Sequence, residues 1–237
     1  MSSVQDPRPA ISLPRAASRD PRPFPRAALP IAVAAIALVC GFGAYLLIGG
    51  SGPTPVDDWW LSVTTIDASS PAAALARFLA IVGGSTGVII LGAVLIVLLW
   101  VFRQRRSALM LATALLLGVA MSEVLKRIFE RARPGDQLFP TTGFSYPSGH
   151  SMGAATLAIS LAIIVTCFIG ASRSVLAVTW FVAGAWVVLM MWSRAALHAH
   201  WLTDTLGGML LGFAAALLAG WLWSDSGVLG RRNMVEG

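Results

Sequence analysis

The sequence predicts an all-α, polytopic membrane protein of six transmembrane helices, and three observations carry that prediction. Hydrophobic residues make up 57% of the 237 and charged residues only 12%, with a mean hydropathy of +0.76. That balance excludes an ordinary soluble domain. The apolar residues gather into six long runs, each near the length needed to cross a hydrocarbon core of about 30 Å. Most of the seventeen basic residues fall between or outside those runs, at Arg8, Arg15, Arg19, Arg22 and Arg26, at Arg103, Arg105 and Arg106, at Arg173, and at Arg231 and Arg232. A net charge of +6 and a pI near 10.6 therefore read as membrane topology signals, and no nucleic-acid partner is expected. Cys40 and Cys167 both lie inside apolar runs, where they read as small hydrophobes without disulfide or metal-ligand spacing.

Residues 1–28 interleave prolines and arginines with serines, a composition too polar to bury a core, and are expected to form a disordered cytoplasmic tail. The tail is too polar, and the run after it too long, for a simple cleaved signal peptide. The membrane domain is expected over 29–224, with a second cytoplasmic tail over 225–237. Its first span is residues 29–49. The connector 51–71 carries Asp57 and Asp58 beside Trp59 and Trp60, which suits a short helix at headgroup depth. The second span is residues 75–102. Its Gly83-Gly84-Ser85-Thr86-Gly87 stretch lacks the lysine of a phosphate loop and is expected to be a small-residue helix-packing surface. The remaining spans are residues 107–125, 152–169, 175–192 and 202–223. An even number of spans puts both termini on one side. With the N-terminus inside, the basic loops fall inside as well, while three polar segments meet at the outer membrane–water interface.

Those segments hold the chemistry. In the first, Lys126, Arg127, Arg131 and Arg133 crowd the end of the third span, although outer loops are normally poor in cations. If the helix persists to Arg133, Lys126 and Arg133 face one point two turns apart, Arg127 and Arg131 face elsewhere, and Glu123 or Glu130 pairs with Arg127. Pro134 then ends the element. In the second, Ser148 and Gly149 open the fourth span, so that backbone amides at a helix N-terminus offer a seat for an anion. His150 stands in the first turn as a candidate acid. In the third, Arg194 precedes His200 and Asp204. A helix from Trp201 would place His200 and Asp204 at i and i+4, with the carboxylate holding one ring nitrogen and the other left basic.

A lone histidine at a membrane boundary is usually an amphipathic boundary residue, and Ser148 alone would usually be a plain helix cap. Taken together the segments point elsewhere. Lys126, Arg133 and Arg194 supply cations, Ser148 and Gly149 supply amide donors, His200 backed by Asp204 is a nucleophile, and His150 is an acid. A tetrahedral phosphate fits that set, because phosphoryl transfer demands mostly charge neutralisation and in-line positioning. The cations stand where a metal would, so neither metal nor other cofactor is expected.

The three segments resemble a known family. KRIFERARP, YPSGH and SRAALHAHWLTD are similar to the three signature motifs of the type-2 phosphatidic-acid phosphatase family, which is related to glucose-6-phosphatase, bacterial acid phosphatases and vanadium haloperoxidases. The order is Lys, six residues, Arg-Pro; then Pro-Ser-Gly-His; then Ser-Arg, five residues, His, three residues, Asp. All three match in order and internal spacing, and six spans agree with the membrane branch. The resemblance implies that Lys126, Arg133 and Arg194 bind phosphate with help from Ser148 and Gly149. It implies that His200 attacks phosphorus to form a phosphohistidine, that Asp204 orients it, and that His150 protonates the leaving oxygen and then activates water. Leu202-Thr203 differs from the dipeptide usual there, and His198 lies outside the pattern.

The implied substrate is a lipid phosphate reached from the bilayer, such as a polyprenyl diphosphate, phosphatidic acid or phosphatidylglycerol phosphate. The implied setting is a bacterial inner membrane with the site facing the periplasm. A lipid phosphotransferase using the same phosphohistidine is the nearest rival, and a non-enzymatic lipid transporter or scaffold is a rival of another class. Every motif residue is intact, which argues against the latter. A vanadate-dependent peroxidase is normally soluble, and six spans argue against it.

Overall fold

Residues 21–224 are described by the computed structural model, and their helices follow the apolar runs. The expected C-terminal tail and the expected N-terminal tail up to residue 20 lie outside the described residues. Residues 21–27 are irregular chain and turn. The helices are α1 (Ala28–Ile48), α2 (Pro55–Thr64), α3 (Pro71–Val82), α4 (Ser85–Val101), α5 (Arg105–Phe129), α6 (Gly149–Ile163), α7 (Arg173–Ala196) and α8 (Leu202–Trp223), with a π-helical turn, Ile164–Ile169, continuing α6. No strand occurs among the described residues.

Five of these elements are long and apolar enough to cross a membrane, and α3 with α4 forms a sixth crossing only as one bent span. The expected second span, residues 75–102, is thus divided into two helices. It breaks at Gly83-Gly84 with a bend of 54°. The glycines serve close approach at the break, since a Cβ on Gly83 would lie 2.0 Å from Cε of Met190. Four helix starts are encoded by a local side-chain cap. Ser70, Ser148 and Ser172 each accept an N-terminal backbone N–H, and Thr54 forms a capping box with Asp57 at the start of α2.

The centre of the bundle is the α6–α8 pair. Gly208 and Gly212, four residues apart, let α8 press against α6. A Cβ at either would fall 2.3 Å from the Ser148 carbonyl or 2.4 Å from that of Met152. Small residues at that spacing are what lets helices approach in lipid, where no hydrophobic force separates lipid from protein. Around the pair, Met110, Leu111, Leu157, Ile163, Ala214 and Leu217 fill one level of the core, and Val39, Phe129, Tyr146, Met152 and Leu211 fill the level beside the polar segments. Ile89, Leu116, Phe181 and Val188 point outward and exposed, as a surface bathed in hydrocarbon requires. At the end remote from the three motifs, Arg22, Arg26, Arg106 and Ser224 line one cavity of about 430 Å³. The N-terminal approach, the α4–α5 turn and the end of α8 thus share one end.

Candidate active site

The three polar segments meet at the other end, and the way α5 stops decides how. Glu130 adopts a left-handed conformation, φ 43°, so the chain leaves the helix at Phe129, before Pro134 acts on it. This corrects the expected continuation to Arg133. Lys126 stays in the last turn, where it pairs with Glu123 at 3.0 Å; the expected Glu123 pairing with Arg127 is not the one formed. Its Nζ lies 3.2 Å from where a Cβ on Gly149 would stand, so glycine keeps that approach open. Arg131, expected to face elsewhere, turns inward instead and is fully buried. It donates through Nη1 to Asp204 Oδ1 at 2.6 Å and Thr203 Oγ1 at 2.7 Å, and through Nη2 to Asp57 Oδ2 at 2.8 Å.

His200 is buried and precedes α8 rather than riding on it. A carboxylate one turn on is still within reach, but not directly. His200 Nδ1 is 3.6 Å from Asp204 Oδ2, beyond a good hydrogen bond. Ser145 bridges the gap, with its Oγ 3.3 Å from Nδ1 while its hydroxyl donates to Asp204 Oδ2. Asp204 Oδ2 also accepts the Trp201 N–H at 2.9 Å. On the far side of the ring, Nη1 of Arg133 lies 2.9 Å from Nε2. A guanidinium only donates, so Nε2 is the acceptor and the ring proton sits on Nδ1. That is a neutral imidazole with its basic nitrogen presented to a cation.

Arg133 does more than face His200. It donates to the carbonyls of Ala199 (2.6 Å), Gly143 (2.8 Å), Phe144 (3.1 Å) and Thr142 (3.2 Å), tying the 134–144 loop over the site. Arg194 is the opposite case. It is fully buried, its guanidinium stands 5.8 Å from the Phe139 ring, and none of its three nitrogens has a partner among the described residues. Its backbone carbonyl accepts the N–H groups of Ala199 (3.1 Å) and His200 (3.3 Å), which locks it to the turn that carries His200.

Ser148 caps α6, but its own N–H donates to the Asp204 carbonyl at 3.0 Å. The expected amide pair is thereby reduced to Gly149, with the Ser148 hydroxyl beside it. His150 Nε2 donates to the Ala80 carbonyl at 3.1 Å, beside the α3–α4 break. His198, at φ 52°, pairs through Nδ1 with Asp136 at 2.8 Å.

Electrostatics follow from this crowding. Burial, and then the charges of Arg133, Arg194 and Lys126, hold the His200 pKa well below 6.5. Burial raises that of Asp57, but backbone hydrogen bonds from Thr203 and Thr54 and the Arg131 guanidinium outweigh it and leave the group below 3.8. Cations thus gather around one unprotonated ring nitrogen, an arrangement that suits a tetrahedral oxyanion.

Three participants escaped the sequence reading. Ser145 stands one residue before the second motif, Arg131 sits inside the first, and Asp57 was read only as an interfacial carboxylate. The Thr54-x-x-Asp57 box is the one local signal that Asp57 is held in place.

Comparison with known proteins places this geometry. Residues 107–227 match the family model described as the PAP2 superfamily. The sequence is 37% identical over 93 residues to phosphatidylglycerophosphatase B of Bacillus subtilis, covering 39% of this chain and 46% of that protein. It is 28% identical over 117 residues to an undecaprenyl-diphosphatase of Sulfolobus acidocaldarius, covering 46% and 52%. The chain thus spans about half the length of these curated relatives. Among solved structures, a transmembrane PAP2-type phosphatidylglycerolphosphate phosphatase from Bacillus subtilis superposes with a TM-score of 0.68 at 23% identity, over 79% of this chain and 93% of that one. Aquifex aeolicus LpxE superposes at 0.51 and 22%, over 63% and 86%. At such identities the likeness is one of fold.

Proposed function

This chain belongs to the PAP2 superfamily, and on that premise we propose that it is an integral membrane lipid phosphatase working through a phosphohistidine, with Lys126, Arg133, Ser148, Gly149 and Arg194 binding phosphate and His200, His150 and Asp204 performing the chemistry. The observation that carries the reading is Arg194. A buried guanidinium without an acceptor costs several kcal/mol, and an anion bound between it and His200 removes that cost. Phosphate supplies the oxygens and, in its phosphorus, the electrophile for Nε2.

In the first step His200 Nε2 attacks phosphorus in line. The N–P bond forms as the P–O bond to the lipid breaks, and His150, protonated once the phosphate anion sits beside it, gives its proton to the leaving oxygen. Arg194, whose nitrogens have no partner among the described residues, takes up the charge gathering on the equatorial oxygens, and Arg133 adds to it through the Nη1 hydrogen that His200 gives up. In the second step His150, now neutral, removes a proton from water as the water attacks phosphorus, and His200 leaves. Asp204, through Ser145, keeps the Nδ1 proton in place throughout, so Nε2 keeps its lone pair and is free for bond making once Nη1 of Arg133 turns from it to the phosphate.

The substrate is a phosphate monoester or diphosphate at headgroup depth, whose chain stays in the bilayer. The curated relatives named above point to polyprenyl diphosphate or phosphatidylglycerol phosphate, with phosphatidic acid as a third candidate. Counting α3 and α4 as one span gives six, and the basic loops then support a topology in a bacterial inner membrane with both termini on the cytoplasmic side and the site at the outer membrane–water interface. The domain is residues 29–224 between two cytoplasmic tails. Phosphate release from a panel of these lipids by purified protein in detergent, with His200→Ala beside it, tests the proposal. Release that vanishes in the variant is expected. Transfer to an added acceptor lipid without free phosphate would make the protein a phosphotransferase, and no turnover at all by folded protein would contradict both.

A further inference from the structure

We infer that Asp57, on the short helix α2 outside the spans, is a positioning residue of this site, acting through Arg131 on Asp204 and so on which nitrogen of His200 carries the proton. The inference rests on the proposed reading of His200 and Asp204 as the attacking pair.

A carboxylate at the third position of a helix ordinarily completes a capping box at the surface. Asp57 does that, since its Oδ2 accepts the Thr54 N–H at 2.9 Å and the Thr54 hydroxyl at 2.9 Å. Yet it is wholly buried, and its further partners belong to other segments. Oδ1 accepts the backbone N–H of Thr203 at 2.9 Å and its hydroxyl at 3.0 Å. A first-turn amide of α8 is thereby satisfied by an acid from α2, distant in sequence. Oδ2 accepts Nη2 of Arg131 at 2.8 Å.

Arg131 passes the constraint on. Its fork spans the two carboxylates, with Nη2 on Asp57 and Nη1 on Asp204 Oδ1 at 2.6 Å. A guanidinium is planar and rigid, so anchoring one arm fixes the other. With Oδ1 of Asp204 held, Oδ2 is turned toward the Trp201 N–H, Ser145 and His200. A neutral imidazole has two tautomers, and only the one protonated at Nδ1 leaves Nε2 nucleophilic. The acid at the end of this chain keeps that tautomer, and Asp57 keeps the acid oriented.

A merely structural role for Asp57 would lower the folded fraction without altering His200 in the molecules that fold. The test therefore reads tautomer as well as rate. Full-length protein in detergent micelles is labelled with ¹⁵N-histidine, and His200 is assigned by its loss in His200→Gln. In the wild type the ¹⁵N shifts are expected to report a single Nδ1–H tautomer. In Asp57→Asn they are expected to report a mixture, with kcat for phosphate release from phosphatidic acid down roughly tenfold to a hundredfold and KM within about twofold. Asp58→Asn, the same charge change on an exposed neighbour of that helix, is expected to match the wild type in both. A folded Asp57→Asn protein with the wild-type tautomer and a kcat within about twofold overturns the inference. Should Asp57→Asn not fold, Arg131→Lys, which keeps the charge and loses the fork, takes its place; the wild-type tautomer there overturns the inference as well. A tautomer shift in a protein whose wild type releases no phosphate would sustain the positioning role while removing the phosphatase reading.

Discussion

Arg131 and Arg194 are both fully buried at the same end of the bundle, and they are kept there for opposite reasons. Both terminal nitrogens of Arg131 are satisfied, by the carboxylates of Asp57 and Asp204, the Thr203 hydroxyl and the Gly52 carbonyl, and only its Nε lacks a partner among the described residues. Arg194 has no partner for any guanidinium nitrogen among the described residues. A cation with protein acids around it builds the site, whereas one without them is, on the proposed reading, held for phosphate. Burial alone does not tell the two apart; the partner set does.

The sharpest break in that comparison lies at His200, the proposed nucleophile. His200→Ala is expected to lower phosphate release at least about a thousandfold, because it removes the bond-forming atom. Next come the arginines themselves. Arg194→Met is expected to lower kcat/KM by roughly 10²–10³, the usual effect of losing one oxyanion donor, while thermal unfolding in detergent shows stability kept or raised, since an uncompensated buried charge has gone. Arg131→Met strands two buried carboxylates, and a loss of about 3–5 kcal/mol in unfolding free energy is expected. Equal stability changes in the two variants would erase the distinction. Ser145→Ala removes the bridge between His200 and Asp204, and a fall of about tenfold in kcat is expected in steady-state assays.

The smallest effect is one of pH. Because the His200 pKa is held well below 6.5, the acidic limb of kcat/KM is expected below the ordinary histidine range. Removing the charge in Arg194→Met moves that limb upward. The stability linkage has a definite sign too. Below pH 6.5 the unfolded chain binds a proton at His200 that the folded chain refuses, so this group lowers stability as pH falls and contributes nothing above that range.

Much of this was legible along the chain. α8 begins and ends where its apolar run does, at Leu202–Trp223, because hydrocarbon leaves a helix no cheaper way to satisfy its backbone. The eight residues picked out by motif and spacing gather at one end of the bundle. What stayed hidden was decided over long distances or by single backbone angles. The left-handed turn at Glu130 sent Arg131 inward, against a helical projection. Asp57 meets Thr203 across 146 positions, and no local pattern announces that. The bend at Gly83-Gly84 turns on Met190 filling the space a side chain would take, and the Ser148 amide is claimed by a carbonyl on α8.

The most direct measurement is the effect of inorganic phosphate on thermal unfolding of the wild type, Arg194→Met and Arg131→Lys in detergent. A ligand bound only by the folded state raises its stability by RT ln(1 + [L]/Kd), about 2.7 kcal/mol at a hundredfold excess over Kd. Phosphate is expected to raise the unfolding temperature of the wild type and of folded Arg131→Lys, and to leave Arg194→Met unmoved. An equal rise in Arg194→Met would contradict the claim that its guanidinium is reserved for phosphate.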